Sequence, residues 1–443
     1  MSDPREIFDG VVRFREQAMR ALQLGLFVAI VVFSTGTFNP KFIDTGADFV
    51  QQAIIEVLWI AIVATILPKL RSLSFSVDDG LLTICALVFW AALTAAWAGT
   101  GMASPMKAVA MTFNTVGVFL LVAAIGIEAV VETAIVGLVI LVGGSLVLVV
   151  VRPDIALLDT WMHAGQWAGV FDHKQTLGIT AAILVFCSGL RFSAHRSTAM
   201  RIHHGLAVVV ATICLIGAGS RGGLVLAAAA IGLSLVASWN RQADAVMAWL
   251  PVGAMAVSTA FLVTLWVSDL DHLPIGEEGV DFTERTKIWK HVLDNMTPGT
   301  TVFGAGINGF WAQKQVEDLF RGAHGWFLDN FHCGFLAVFA ETGVIGATLF
   351  VVLTGLVVVS ALRRRRGGGG GLGPLIYGFI GLFYVINITE TYFLRSTNFM
   401  STLFFALLFH LFGRPRIADD AAVASGVVRS GGGAIAGAPS VGR

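Results

Sequence analysis

Seven polar side chains stand out in a chain that is otherwise mostly apolar: His332, Arg221, Arg285, Lys174, His173, Arg152 and Arg395. Imidazole suits the removal of a proton from a hydroxyl near neutral pH, the work of a general base, and His332 stands where a polar stretch gives way to an apolar one. Arg221 lies in Ala218-Gly219-Ser220-Arg221-Gly222-Gly223. Ser220 is placed to cap the helix that follows, the glycines let backbone approach a ligand, and a guanidinium at a helix N-terminus suits a phosphate. A tight hairpin with a snorkelling arginine fits the same residues. In Gly169-Val170-Phe171-Asp172-His173-Lys174-Gln175-Thr176-Leu177-Gly178, Asp172 is placed to cap a helix, Lys174 to reach a phosphate and His173 to donate to one. Interfacial capping is the plainer alternative for both. Arg152, Lys174, Arg221 and Arg395 fall at helix ends on one expected side, and four cations at one depth make an anion site.

Other polar residues carry less. Glu341 follows His332 by nine positions, about 13 Å along a helix and about 900° around it, so the two face apart. Buried at that depth, Glu341 needs a partner of its own or a proton. Asp269-Leu270-Asp271-His272 has the look of a metal-binding acidic pair, but so short a pattern recurs by chance; no metal and no cofactor are expected. Trp311 and Trp326 fit sugar stacking and an interfacial aromatic belt equally well. Cys85, Cys187 and Cys214 sit in apolar runs and Cys333 borders the polar loop, so neither a disulfide framework nor a metal spacing follows.

These residues are set in a chain of 443 residues, 56% hydrophobic and 13% charged, with a mean hydropathy of +0.79. Soluble domains carry about 25% charged residues, so a soluble globule is excluded. Apolar runs near the length that spans a bilayer recur. We expect an all-α polytopic transmembrane protein of about twelve spans, near 21–38, 50–67, 80–98, 107–126, 133–151, 173–190, 203–218, 222–238, 246–268, 334–361, 373–389 and 397–412. Residues 1–412 form one transmembrane domain that includes an outer loop at 269–333, and the Gly- and Ala-rich 413–443 reads as a disordered inner tail. Met1–Arg20 is polar and the run after it is long enough to remain as a span, so no cleavable signal is expected.

Lys and Arg set the orientation. With the N-terminus inside, 18 of the 29 basic residues are inner and 11 outer; five of those 11 lie in the large loop, where charges count little, leaving 18 against 6. Arg363-Arg364-Arg365-Arg366 anchors an inner linker. The long polar stretch from Phe282 to Gly346 is then outside.

Four stretches in order resemble the O-antigen ligase family, which includes lipid-linked polysaccharide polymerases of the Wzy and exopolysaccharide types. They are Trp167 to Gly178; Gly219-Ser220-Arg221-Gly222; Arg285 to Trp289 with Phe303-Gly304-Ala305-Gly306-Ile307-Asn308-Gly309-Phe310; and His332-Cys333-Gly334-Phe335-Leu336 through Glu341-Thr342-Gly343-Val344-Ile345-Gly346. Asn387-Ile388-Thr389-Glu390 is a weaker fifth. Gln175 and Cys333 depart from the family pattern, which usually has Asn, and Asn or Ser, there.

The resemblance implies a GT-C-like glycosyltransferase of the bacterial inner membrane with its site on the periplasmic side. It implies transfer of a glycan from an undecaprenyl diphosphate carrier to an acceptor sugar hydroxyl, with inversion, most simply in polymerising repeat units. Arg221, Arg285 and Lys174 then bind the leaving diphosphate, with His173, Arg152 and Arg395 around them, and His332 is the base. The partners implied are the lipid-linked donor, a glycan acceptor and the bilayer; no nucleic acid is expected. Two other readings compete. A ligase joins the polymer to a lipid A core. A lipid-linked glycan flippase also gathers cations and broken helices at a midplane site, but the chain has no internal repeat and its cations favour one side.

Overall fold

The computed structural model describes residues 4–36, 38, 48–159, 163–239, 243–268, 285–325, 330–365, 372–395 and 397–417. Asp269, Asp271, His272, Trp326 and the tail beyond residue 417 lie outside them. In chain order the helices begin with α1 (Pro4–Ser34), α2 (Asp48–Ile66), α3 (Asp79–Thr94), α4 (Ala103–Ile125), α5 (Ile127–Val151) and α6 (Pro153–Ala156). There follow α7 (Lys174–Ala194), α8 (Thr198–Ala218), α9 (Arg221–Trp239), α10 (Ala243–Ala248) and α11 (Leu250–Ser268). The outer-loop helices are α12 (Arg285–Asp294), α13 (Pro298–Phe303) and α14 (Lys314–His324), and the chain closes with α15 (Gly334–Arg365), α16 (Gly373–Ile386) and α17 (Phe399–Leu411).

Local chemistry explains where these helices start. Pro4, Pro105, Pro153, Pro251, Pro298 and Pro374 all lie in a first turn, where the missing N–H costs nothing. Asp78 accepts the Leu81 N–H at 2.9 Å to cap α3, and Thr297 and Thr300 form a reciprocal capping box on α13.

Each of the twelve expected apolar stretches lies mostly on helix among the described residues. Among the described residues nine helices are long and apolar enough to cross a membrane, while Arg221–Ala237, Gly373–Ile386 and Phe399–Leu411 are shorter apolar helices. The two C-terminal ones are buried along nearly their whole length. By contrast α2, α5, α8, α9 and α11 expose large apolar side chains, among them Val57, Val150, Ile216, Val225 and Trp266. In water such a surface would aggregate; against lipid it is the surface a spanning helix must show. Only one two-residue strand pair occurs among the described residues, Leu73–Ser74 against Arg416–Ile417.

Segments that the charge rule puts on one side meet one another. The 73–76 stretch pairs with 413–417. Arg191, at the end of α7, is buried against Glu128 at 2.7 Å and against Glu132. On the other side, Trp97 donates to the Gly304 carbonyl at 3.0 Å.

One expected span is not continuous. At Gly343 the backbone of α15 leaves helical geometry, with φ 66° and ψ −171°, a region essentially reserved for glycine. The break frees carbonyls on the preceding turn, and the outer loop takes them up. Ala305 N–H donates to the Ala340 carbonyl at 2.8 Å and Gly306 N–H to the Glu341 carbonyl at 3.0 Å. Trp90 Nε1 donates to the Thr342 carbonyl at 2.7 Å. A Cβ on Gly343 would sit 2.3 Å from the Val302 carbonyl oxygen, and one on Gly304 would sit 2.2 Å from that of Glu341. The loop is thus bonded main chain to main chain onto a broken transmembrane helix.

Candidate active site

Helix α12 presents Arg285 and Trp289 one turn apart, so both reach the same neighbours. Arg285 Nη1 donates to the Thr389 carbonyl at 2.5 Å and Nη2 to Glu390 Oε1 at 3.1 Å. Trp289 Nε1 donates to the Phe331 carbonyl at 2.9 Å. Asn330 Oδ1 accepts the His332 N–H at 3.1 Å. These bonds hold His332 at φ 48°, a left-handed conformation that costs a non-glycine residue roughly 1–2 kcal/mol.

So held, His332 places Nδ1 3.9 Å from Glu390 Oε2, and that nitrogen is buried without a hydrogen-bond partner in the protein. Glu390 therefore faces Arg285 with one oxygen and His332 with the other. With Nδ1 turned to the carboxylate, Nε2 is the nitrogen left for chemistry. Glu390 is carried by a turn that Asn387 builds: its Oδ1 accepts the N–H groups of Tyr392 at 2.8 Å and Phe393 at 3.1 Å. Gly334 packs there because a Cβ would lie 2.1 Å from that oxygen.

Helix α7 brings in the other cations. His173, not Asp172, is its N-cap: Nδ1 accepts the Gln175 N–H at 3.2 Å. Only the backbone of Gln175 is used in that bond, so the cap does not depend on which side chain stands there. Burial holds the His173 imidazole below its ordinary pKa, with His163, Lys174 and His332 adding to the effect and Glu390 opposing it. His173 is thus neutral at neutral pH, with Nε2–H free to donate.

Lys174 Nζ donates to Gln166 Oε1 at 2.6 Å and lies within the electrostatic reach of Arg221. Arg221 opens α9, whose N-terminus Ser220 caps by accepting the Gly223 N–H at 3.2 Å. Here the expectation for the glycines changes. A Cβ on Gly223 would lie 2.8 Å from the Gly178 backbone, so that glycine lets α7 and α9 touch rather than admitting a ligand. The contact sets two helix N-termini side by side, each with a cation on its first residue. Among the described residues neither Lys174 nor Arg221 makes an ion pair.

Two expected phosphate ligands stand elsewhere. Arg395 is bonded to the buried carboxylate of Glu341 at 2.9 Å and to Asn308 Oδ1 at 3.1 Å. Its charge is matched by a side chain only 2% exposed, so the guanidinium faces a carboxylate where a diphosphate was expected. The same pair supplies the partner Glu341 required, and Glu341 also accepts the Asn308 N–H at 3.0 Å. Arg152 bonds Asp154, two residues on, at 3.0 and 2.8 Å, in a pair more than half exposed. Among the described residues no hydrogen bond or ion pair joins it to the other six.

Trp311 also departs from both of its readings. It is 7% exposed, so it belongs to no interfacial belt, and His291, Phe310, Phe320 and Phe331 pack around its ring.

Residues 206–351 match a family model described as O-antigen ligase. That stretch is similar to the O-antigen ligase family. The match contains Arg221, Arg285 and His332, while His173, Lys174, Glu390 and Arg395 lie outside it and join the site only through the fold. The match indicates an activity of the ligase or polymerase type on lipid-linked glycans in a membrane. No curated protein matches the chain.

Glu390 entered the sequence reading within the weaker fifth stretch, without a role. The signal available was a carboxylate at the end of an apolar span, which must find a partner.

Proposed function

We propose that the chain transfers a glycan from a polyprenyl diphosphate carrier to a sugar hydroxyl on the outer face of the bacterial inner membrane. The observation that carries this reading is the pairing of unlike sites. A cation pair that no ion pair among the described residues compensates, Lys174 and Arg221, shares His173 as an electrostatic neighbour with a carboxylate–imidazole pair, Glu390 and His332.

In the proposed reaction the bond between the anomeric carbon and the diphosphate oxygen breaks, and the electron pair leaves on the diphosphate. Arg221, Lys174 and the N-termini of α7 and α9 stabilise the charge that develops. His173 donates from Nε2–H to the same group. The acceptor hydroxyl attacks from the opposite face as His332 Nε2 takes its proton, so the configuration inverts. Glu390 stabilises the imidazolium that forms, and Arg285, expected at the diphosphate but bonded to Thr389 and Glu390, fixes that carboxylate. Two cations and two helix N-termini supply the charge that a metal supplies elsewhere, so activity should persist in excess chelator.

The acceptor we favour is another lipid-linked repeat unit. The test uses the purified full chain in nanodiscs with a lipid-diphosphate-linked oligosaccharide, read as a ladder of products on a gel. Arg221→Ala should lose donor affinity, and Arg221→Lys should recover little, because a planar fork holds two diphosphate oxygens and a point charge does not. Full donor affinity in Arg221→Ala would overturn the diphosphate assignment. Cells lacking the protein should accumulate single repeat units on the carrier; finished polymers on the carrier would make it a ligase.

A further inference from the structure

A cavity of about 200 Å³ lies against the proposed dyad, lined by Asn308, Trp311, Asn330, Thr391, Glu341 and Arg395. Asn330 and the neighbouring Phe331, also in the lining, immediately precede His332, and Thr391 immediately follows Glu390. We infer that this cavity is a subsite for one neutral sugar ring, the terminal ring of the acceptor, which it holds beside His332. The inference rests on the glycan-transfer reading of the adjoining dyad.

Size and charge both point to such a ring. Pockets for drug-sized ligands run about 300–1,000 Å³, so this one takes a single ring and not a disaccharide. The cation in its wall is already matched by a carboxylate, so the cavity offers an anion no uncompensated charge. It offers a neutral polyol many hydrogen bonds. Both amides have a fixed orientation, since Asn308 Oδ1 faces the Arg395 guanidinium and Asn330 Oδ1 faces the His332 N–H. Among the described residues neither amide nitrogen has a partner. Trp311 Nε1 and Thr391 Oγ1 are buried without one. Buried polar atoms are nearly always satisfied in native proteins, and these two unspent atoms, with the two half-buried amides beside them, mark the place of a ligand that satisfies them. Phe331 supplies an apolar wall for the less polar face of a pyranose.

The experiment uses the full chain in nanodiscs and the oligosaccharide released by mild acid from the source cells' lipid-linked glycan. Saturation-transfer NMR reads its binding, and steady-state kinetics read KM for acceptor and donor separately. Thr391→Met fills the cavity and Thr391→Val removes one hydroxyl without changing shape. Thr391→Met should abolish saturation transfer to the terminal ring and raise the acceptor KM far more than the donor KM, with thermal stability unchanged or raised. Thr391→Val should raise the acceptor KM about two- to tenfold, the worth of one hydrogen bond. A purely structural role would instead lower stability and leave the KM ratio alone. Oligosaccharide binding unchanged in both variants, or undetectable in the wild type, overturns the inference and leaves a water-filled void. Binding lost in the variants of a protein that transfers no glycan would sink the transfer reading and keep the sugar subsite.

Discussion

The carboxylate of Glu390 is the residue on which the proposed chemistry turns, and Glu390→Gln tests it with little change in shape. The substitution removes the charge facing His332 Nδ1 at 3.9 Å. Two unit charges at that distance interact by about 1 kcal/mol in bulk water and about 4 kcal/mol at an effective dielectric near 20. The side chains are 15% and 28% exposed, which favours the larger figure. The imidazolium exists only once the acceptor proton has moved, so the loss falls on the transition state and not on donor binding. We predict that kcat falls roughly 10²- to 10³-fold, the rate equivalent of about 3–4 kcal/mol. Donor affinity, which we propose rests on Lys174 and Arg221, should stay within about twofold of the wild type, well under the tenfold that 1.4 kcal/mol represents. Glu390→Asp, which keeps the charge on a shorter arm, should retain more turnover than Glu390→Gln. The assay is a single-turnover transfer from saturating labelled donor, with donor affinity measured separately by titration. A folded Glu390→Gln protein that turns over normally would refute the dyad. A loss carried wholly by donor affinity would reassign Glu390 to holding Arg285 against the diphosphate.

Three further outcomes follow from the geometry. Because the folded His173 pKa lies below the ordinary histidine value, the unfolded chain binds more protons as pH drops below about 6.5; thermal stability should be full above that pH and decline below it, and His173→Asn, an alternative cap without a titrating ring, should flatten the curve. Gly343→Ala meets both a glycine-only conformation and a Cβ contact at 2.3 Å, so it should cost at least about 1–3 kcal/mol and lower the melting temperature before any effect on chemistry is seen. Arg395→Met strands the buried Glu341 carboxylate and should destabilise by about 3–5 kcal/mol, whereas the double variant Glu341→Leu with Arg395→Met should recover most of that loss in the same melting assay; equal destabilisation in single and double variants would disprove the pairing.

The sequence made the membrane fold legible because apolar length alone dictates a span, and each of the twelve expected stretches lies mostly on helix among the described residues. It also singled out Arg221, Lys174, His173, Arg285 and His332, since cations and an imidazole beside apolar runs need a reason to be there. Which of those cations are free was not legible. Arg395 and Arg221 look alike in sequence, yet a carboxylate 54 positions away spends one and no ion pair among the described residues spends the other. Partnership across spans depends on helix rotation and tilt, which local patterning does not encode. Nor could the break at Gly343 be read, since an isolated glycine in an apolar run also fits an unbroken helix. Its role shows only when the loop is seen occupying the freed carbonyls.

That mode of attachment bears on how such a protein can change. Ala305 and Gly306 bind α15 through backbone atoms, and backbone atoms are the same whatever side chain they carry. Apart from the glycines that the close approach demands, the mount places few demands on the residues of the loop it supports. The parts of the outer loop that do not carry Arg285, Trp289, Asn330 or His332 can therefore drift to suit a different sugar or linkage while the proposed base and diphosphate site stay in register. A change of substrate is then reached through those parts of the loop, without rebuilding the bundle.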